Sequence, residues 1–312
     1  MKNEKTVDVI IPAYKPDHKF EQLLAMLKRQ NYPVRKIIIM NTEEKYWKKE
    51  YEADGLLEVH HLKQAEFDHG RTRGQAVRYS EADIVVFMTD DSVPENEELI
   101  GRLVEGFDLA DNVAEVYGRQ LPAKDCRVIE RYTRSFNYPD KNQVKTLNDL
   151  DQMGIKTYFA SNVCCAYDRE IYLKLGGFIT KTIFNEDMIF AAGAVKAGYS
   201  IVYAAKARVV HSHNLSGPEQ FKRNFDLAVS QADHPEVFGG IPSESEGIRL
   251  VKNTAAWLWR SKKGHLIPLL IWQSGCKYLG YRLGKRYKKL PMWVVLRCTM
   301  NKSYWTKAGD GL

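Results

Sequence analysis

Cysteine is scarce and unpatterned in this 312-residue chain. There are five (positions 126, 164, 165, 276 and 298), an odd number with no C-x-x-C pair. That argues against a disulfide framework or a zinc knuckle and suits a reducing cytoplasm. Long apolar runs are missing too: no stretch reaches the roughly 18 residues a membrane-spanning helix needs. The start, Met1 to Asp8, is polar and has no apolar segment of a signal peptide. Nothing repeats, no tract is of low complexity, and no phosphate-loop or dinucleotide glycine pattern is matched. Acids are nearly absent from one end, where fourteen Lys and Arg from Arg249 onward face a single acid, Asp310.

What is present is an ordinary globular composition. Hydrophobic residues make up 44%, which excludes a disordered or collagen-like chain. The length allows one large domain, or one domain plus a tail. Net charge is +7, but it is concentrated in the tail, and residues 1–248 carry a slight acidic excess. Such asymmetry predicts a polyanionic partner for the tail, either nucleic acid or a membrane surface.

Short β-branched runs alternate with helical periodicity. Val7–Pro12, Lys36–Met40 and Ala82–Met88 read as buried strands, Leu57–Leu62 as a weaker one, and Val113–Gly118 as another. Residues 17–29 carry Phe20, Leu23, Leu24 and Leu27 at helical spacing. His69–Ser80 reads as loop and helix, and Pro94–Phe107 as helix. This alternation implies βαβ units and a parallel sheet, with ligands beyond the carboxyl ends of its strands. After a mixed polar stretch over 121–158, the pattern resumes. A strand is expected over Phe159–Ala166, helices over 169–175 and 187–197 with Gly198 as a C-cap, and strand-like material over 200–210. Gly239-Gly240-Ile241-Pro242 looks like a joint, which divides the chain into 1–240 and a basic, aromatic-rich helical region, 241–312.

Four clusters could carry chemistry. Asp90-Asp91 follows the strongest strand; adjacent carboxylates repel, and a hard divalent ion such as Mg²⁺ or Mn²⁺ would offset them and bring a diphosphate with it. The plain alternative is a solvated turn in which Asp91 or Ser92 caps the next helix. Phe67-Asp68-His69-Gly70-Arg71-Thr72-Arg73-Gly74 could hold phosphate or a base through N–H groups and guanidinium, or be a surface loop. Asn185-Glu186-Asp187 could supply a general base, or merely complement a helix dipole. In His211-Ser212-His213, one imidazole could join a metal already held by Asp, or both could lie in a capped loop.

The ordered set resembles the inverting glycosyltransferases of family 2, on the GT-A nucleotide-sugar fold. The match runs from Val9-Ile10-Ile11-Pro12-Ala13-Tyr14 to about His213. Thr89-Asp90-Asp91-Ser92 stands where the family has its Asp-x-Asp metal motif. Phe67–Arg73 and Val209–His213 are most similar to members that transfer rhamnose in bacterial polysaccharide assembly. The resemblance implies an α/β, Rossmann-like, mostly parallel sheet flanked by helices, with a basic helical C-terminal extension.

It also implies roles. Pro12, Ala13 and Tyr14 would line a pyrimidine pocket, Arg73 would reach the base or its phosphates, and Asp90 would lie near the ribose. Asp91 would hold Mn²⁺ or Mg²⁺ on the diphosphate, with His211 as a further ligand and His213 in reserve. Asp187, beside Glu186, would be the catalytic base. Gly176-Gly177-Phe178 matches the loop near donor and acceptor. Three positions depart from the pattern. Asn41, or Thr42 after it, stands where many members bind the base with Asp; Gly74 replaces a common Asn; and no spacer separates Asp90 from Asp91.

The expected activity is metal-dependent, inverting transfer of L-rhamnose from TDP-rhamnose to a lipid-linked glycan, with a UDP-hexose donor as the alternative. A silent nucleotide-sugar-binding protein and a nucleic-acid-binding protein are rivals; the latter explains the tail but not the acids, so nucleic acid is not an expected partner. Gly264–Cys276 is uncharged apart from His265 and precedes a run of Lys and Arg. That suits an interface-lying helix on anionic lipid, or a packed helical subdomain with a basic face. The expected location is cytoplasmic, peripheral to the inner face of the cytoplasmic membrane.

Overall fold

The computed structural model describes residues 4–53, 55–240 and 244–308. Ile241 and Pro242 of the expected joint lie outside the described residues. Contacts divide the chain into two compact units. The first comprises 1–123, 138–181 and 186–212, and the second 124–137, 182–185 and 213–312.

The first unit is built on a nine-stranded sheet: β1 (Val7–Tyr14), β2 (Lys36–Thr42), β3 (Leu57–Leu62), β4 (Ile84–Met88), β5 (Val93–Pro94), β6 (Val113–Leu121), β7 (Gln143–Lys145), β8 (Cys164–Asp168) and β9 (Ser200–Val210). The order is β3-β2-β1-β4-β8-β6-β9-β5, with β7 paired to β9. β3, β2, β1 and β4 run parallel, β8 is antiparallel to both β4 and β6, and β9 is parallel to β6. Most strands therefore share one direction, as expected of an α/β sheet. Val9, Ile11, Ile37, Ile39, Ile84 and Val86 are fully buried and pack with Phe20, Leu23 and Leu27 of the His18–Leu27 helix.

Two elements depart from the sequence reading. The helix expected from Pro94 starts at Leu99, because Val93–Pro94 pairs with β9 instead. The strand expected over 159–166 begins only at Cys164, and Ala160–Val163 forms a loop. Gly198 does end the Glu186–Lys196 helix, at φ +88°, with the Tyr199 N–H donating back to the Ala194 carbonyl.

The second unit is helical. Its longest helices are Gly217–Asp233, Glu244–Arg260 and Ile267–Gly284. The first and last approach to backbone contact: a Cβ on Gly280 would lie 2.1 Å from the Phe221 carbonyl oxygen, and one on Gly284 2.3 Å from that of Phe225. Among the described residues, no helix is long and apolar enough to cross a membrane.

Candidate active site

The site residues singled out in the sequence, Asn185 and His213 aside, belong to the first unit, and most sit at one end of its sheet. β1, β2, β4, β6 and β9 all finish there, so their carboxyl ends deliver Tyr14, Asn41, Asp90-Asp91, Gln120 and His211. β8 runs the other way and starts there, which brings in the loop with Asn162.

At β4 the strand gives way to a tight turn in which the Ser92 hydroxyl and N–H both donate to the Thr89 carbonyl. The acids are thus set in the turn. Asp91 and Ser92 do not cap a helix, since the next one starts at Leu99. Asp90 Oδ2 accepts the Tyr14 N–H at 3.0 Å, tying the ends of β1 and β4. Burial pushes the Asp90 carboxyl up to about 6; the Tyr14 N–H opposes this, and the Asp91 charge adds to it.

His211 follows β9 directly. Its Nε2 lies 3.5 Å from Asp91 Oδ1, and its Nδ1 lies 3.2 Å from Gln120 Oε1. An amide oxygen can only accept, so Nδ1 donates to it and Nε2 is the nitrogen turned toward Asp91. Gln120 is fixed in turn, its Nε2 donating to Ser161 Oγ at 3.0 Å. A carboxylate and an imidazole whose far nitrogen is tied down form, with the imidazole neutral, a donor set suited to a divalent cation. His213 stands two residues further along the chain, at the first residue of the second unit.

Glu186 and Asp187 open the helix Glu186–Lys196, after a left-handed Asn185 (φ +65°). Glu186 is buried with Arg73, whose Nη1 donates to Glu186 Oε1 at 3.2 Å and to the His69 carbonyl at 3.1 Å. Burial works to raise the Glu186 carboxyl, but Arg73 and His69 outweigh it and hold it below the usual range. Asp187 goes the other way. Burial, then the neighbouring Glu186 charge, raises it well above an ordinary aspartate, although the Asn162 and Met188 N–H groups donate to it. Two adjacent acids with pKa values driven apart are the pattern of a buffered base beside a permanent charge.

Asn162 links these parts. Its N–H donates to Asp187 Oδ2 at 3.1 Å, its Nδ2 donates to Glu186 Oε1 at 3.3 Å, and its Oδ1 accepts the Tyr167 hydroxyl at 2.9 Å. The next residue, Val163, accepts the Thr89 N–H through its carbonyl at 3.3 Å. The turn with Asp90-Asp91 and the acid pair Glu186-Asp187 therefore flank one short loop. Behind them is the buried Glu115, raised to about 8 by burial against the opposing Lys145 charge, which leaves it largely neutral near Asp187.

At the other strand ends, Pro12 is half-buried and Ala13 buried, while the Tyr14 ring is 42% exposed. Tyr46 lies edge-on to it at 5.9 Å. Asn41 pairs with Ala13 in the sheet register. Its Nδ2 lies 3.3 Å from the Glu43 carbonyl and 2.9 Å from His61 Nδ1, while its buried Oδ1 has no partner among the described residues. In the 67–74 segment, Asp68 caps the His69–Ala76 helix by accepting the Arg71 N–H. Gly70 lets that helix approach the loop after Gly176-Gly177-Phe178: a Cβ there would sit 2.0 Å from the Ile179 carbonyl oxygen. Gln120, Ser161, Asn162, Tyr46 and Glu115 were not singled out from sequence.

A sheet of this order, with acids and an imidazole gathered at its strand ends, defines a class: glycosyltransferases of the GT-A fold. The chain belongs to glycosyl transferase family 2, whose model matches residues 8–176. It is similar to the O-antigen chain rhamnosyltransferase RfbN of Salmonella typhimurium (strain LT2), at 36% identity over 304 residues and 96% of each chain. It is also similar to the O-antigen chain rhamnosyltransferase WbaN of Salmonella anatum, at 40% identity over 245 residues, covering 77% of this chain and 76% of WbaN. Among solved structures, it shares its fold with the mannosyltransferase PcManGT from Pyrobaculum calidifontis, determined with GDP-Man and Mn²⁺. The TM-score is 0.57 at 16% identity, covering 100% of this chain and 89% of that one. Residues 1–349 of S. aureus TarS, determined with UDP-GlcNAc, match with a TM-score of 0.52 at 17% identity over 91% of each chain.

Proposed function

We propose that this glycosyltransferase moves L-rhamnose from TDP-rhamnose onto a lipid-linked glycan during O-antigen-type polysaccharide synthesis, with inversion at the anomeric carbon. The observation that carries this reading is the single loop at Asn162–Val163, which holds the raised Asp187 on one side and the Asp90-Asp91 turn on the other. The rhamnosyltransferase names of the two relatives, one matched over 96% of both chains, support the sugar.

In this mechanism the acceptor hydroxyl attacks from the face opposite the nucleoside diphosphate, and Asp187 takes its proton as the bond forms. Glu186 stays ionised against Arg73 and keeps Asp187 basic enough for the transfer. The transition state has oxocarbenium character, as in glycoside hydrolysis. One base suffices for a single displacement, so no carboxylate need act as nucleophile. Asp91 and His211 would hold Mn²⁺ or Mg²⁺; such an ion, when bound, stabilises charge on the departing diphosphate. Tyr14, with Pro12 and Ala13, would stack on the pyrimidine, Asn41 Oδ1 would accept its N–H, and Asp90 would meet the ribose. Arg73, anchored on Glu186, would extend its remaining N–H groups toward the donor phosphates.

The region from 241 onward would rest on the anionic inner face of the cytoplasmic membrane, where a lipid-linked acceptor would be within reach. A UDP-hexose donor is the second reading, favoured by the UDP-GlcNAc complex of the TarS structure. The deciding experiment titrates TDP-rhamnose and UDP-hexoses into the full chain by calorimetry, with and without Mn²⁺, and follows transfer. TDP-rhamnose should bind most tightly and only with metal, and Asp91→Ala should remove the metal requirement along with most of the affinity. Tighter binding and turnover with a UDP-hexose would replace the rhamnose assignment.

A further inference from the structure

We infer that Lys145 is a positioning residue for the transfer: from inside the sheet it holds the loop that carries Asn162 against the acid pair Glu186-Asp187. This rests on the reading of Asp187 as the base and adds a residue that acts on it through Asn162. All of the parts lie within the first unit.

Lys145 ends β7, a three-residue strand in which it stands opposite Ile201 of β9. It is 0% exposed, and a lysine is almost never so deeply buried unless its nitrogen has partners. Its Nζ donates to two main-chain carbonyls, that of Lys156 at 3.3 Å and that of Phe159. It also lies 4.7 Å from the centre of the Tyr117 ring. Burial pushes the side chain down to about 7, against the opposing charges of Glu115, Cys165 and Asp149. The contact does not depend on that charge, because amine and ammonium alike have an N–H for each carbonyl.

Between Lys145 and those carbonyls the chain runs out and back. The Asp149 carboxylate accepts both the N–H and the hydroxyl of Thr146. Short helical turns then cover Leu147–Asp149, Leu150–Met153 and Gly154–Tyr158. Lys145 meets the chain again where the last turn gives way to the open loop. The end of a helical turn leaves carbonyl oxygens short of donors, and the lysine supplies them there. A methionine would fill similar space without placing an amine in the sheet, so packing alone does not call for lysine. Phe159 stands three positions before Asn162. Beyond it, the Ser161 hydroxyl accepts from Gln120, the Val163 carbonyl accepts from Thr89, and Asn162 Oδ1 accepts the Tyr167 hydroxyl. Asn162 is thus anchored on both sides, and Lys145 provides an anchor on the N-terminal side. From that place its N–H reaches Asp187 and its Nδ2 reaches Glu186.

The test compares the full wild-type chain with Lys145→Met, which keeps the side-chain length and loses the donors. Hydrogen exchange followed by mass spectrometry reads the loop itself. Amides 156–163 should exchange about tenfold faster or more in the variant, while β1 and β4 keep wild-type protection. Unchanged exchange in this segment overturns the inference whatever the activity, and an equal loss of protection across the sheet makes Lys145 a residue of the fold alone. Turnover is read as TDP release from TDP-rhamnose with Mn²⁺. There kcat should fall about tenfold or more, with KM for the donor within about twofold of wild type. A raised KM at unchanged kcat would overturn the positioning role. Residues that act through one loop are not independent, so Lys145→Met combined with Asn162→Ala should cost less than the product of the two separate losses. A full product would mean that Lys145 does not act through Asn162. If Lys145→Met does not fold, Lys145→Gln, with N–H donors on a shorter stem, decides alone by the same measurements. Absence of turnover in the wild-type chain counts against the transferase reading, whereas the exchange result bears on the loop alone.

Discussion

Asp187 owes its character to being buried beside a carboxylate that cannot protonate first. Arg73 neutralises Glu186 at 3.2 Å, so the proton that burial favours goes to Asp187. The sign for catalysis follows. As the proposed base, Asp187 would acquire a proton as pH falls through its raised value and could not take one from the acceptor, so kcat/KM should fall on an acid limb lying well above the roughly 3.9 of an ordinary aspartate. Asp187→Asn should lose most turnover and that limb with it, while calorimetry still finds the donor bound. Near-normal turnover would remove Asp187 from the base role. Asn162 tests the same pair from outside. Asn162→Ala keeps the backbone N–H on Asp187 but deletes the amide between Glu186 and Tyr167. A hydrogen bond to a charged group contributes about 1.5 kcal/mol or more, so kcat should drop roughly tenfold or further with KM little changed. A drop in KM affinity alone would make Asn162 a binding residue instead. The acids and His211 were legible in sequence because each follows a short apolar strand or opens an apolar helix. Asn162 and Gln120 were not, because nothing local marks which amide of a polar stretch will meet acids folded in from elsewhere. Arg73 was legible as a cation near the site, but its pairing with Glu186, 113 residues on, appears only once β4 and β8 are side by side.

At the scale of elements, local pattern fixes position best where it is redundant. β1, β2 and β9 were found at or near their ends, since β-branched runs with a Pro, an Asn or a His at the exit leave little freedom. The error at 159–166 has a physical cause: Phe159 to Val163 is apolar enough for a strand, yet Asn162 is needed in a loop where its amide can turn toward Glu186. The Pro94 helix start failed because a two-residue pairing of Val93–Pro94 with β9 is a tertiary effect. In the second unit, glycine placement is a stronger constraint than apolar period. Gly280→Ala would drive a methyl group into the Phe221 carbonyl, which nothing flexible can yield. The helices must separate, at a cost of about 1–3 kcal/mol, visible as a lower midpoint in urea unfolding. Gly275→Ala on the same helix meets nothing within 4 Å and should gain a few tenths of a kcal/mol to about 1 kcal/mol. Equal effects at the two positions would contradict the close approach.

Across the whole molecule, charge and exposed apolar surface coincide in sequence without being evenly shared. The excess of Lys and Arg falls after Arg249, and so do the most exposed large hydrophobic residues among those described, Trp259 at 74% and Ile271 at 64%, with Trp293 at 62%. A purely solvated basic face would not need the tryptophans, and a purely packed subdomain would not leave them outside. The proposed anionic bilayer would meet both needs, since each cation near its surface contributes about 1 kcal/mol and each buried aliphatic side chain roughly 1.5–3 kcal/mol. The two contributions are separable by experiment. In vesicle flotation, the full chain should rise with phosphatidylglycerol-rich vesicles and stay behind with neutral ones. Added salt should weaken binding through the cationic part only, as should Arg282→Gln with Arg286→Gln. Ile271→Ser with Leu279→Ser should lower binding by about tenfold or more while leaving the salt slope unchanged. Equal flotation of all variants, or none with the wild-type chain, would return this surface to the role of a packed subdomain, and the acceptor would then have to reach the Asp187 site from solution.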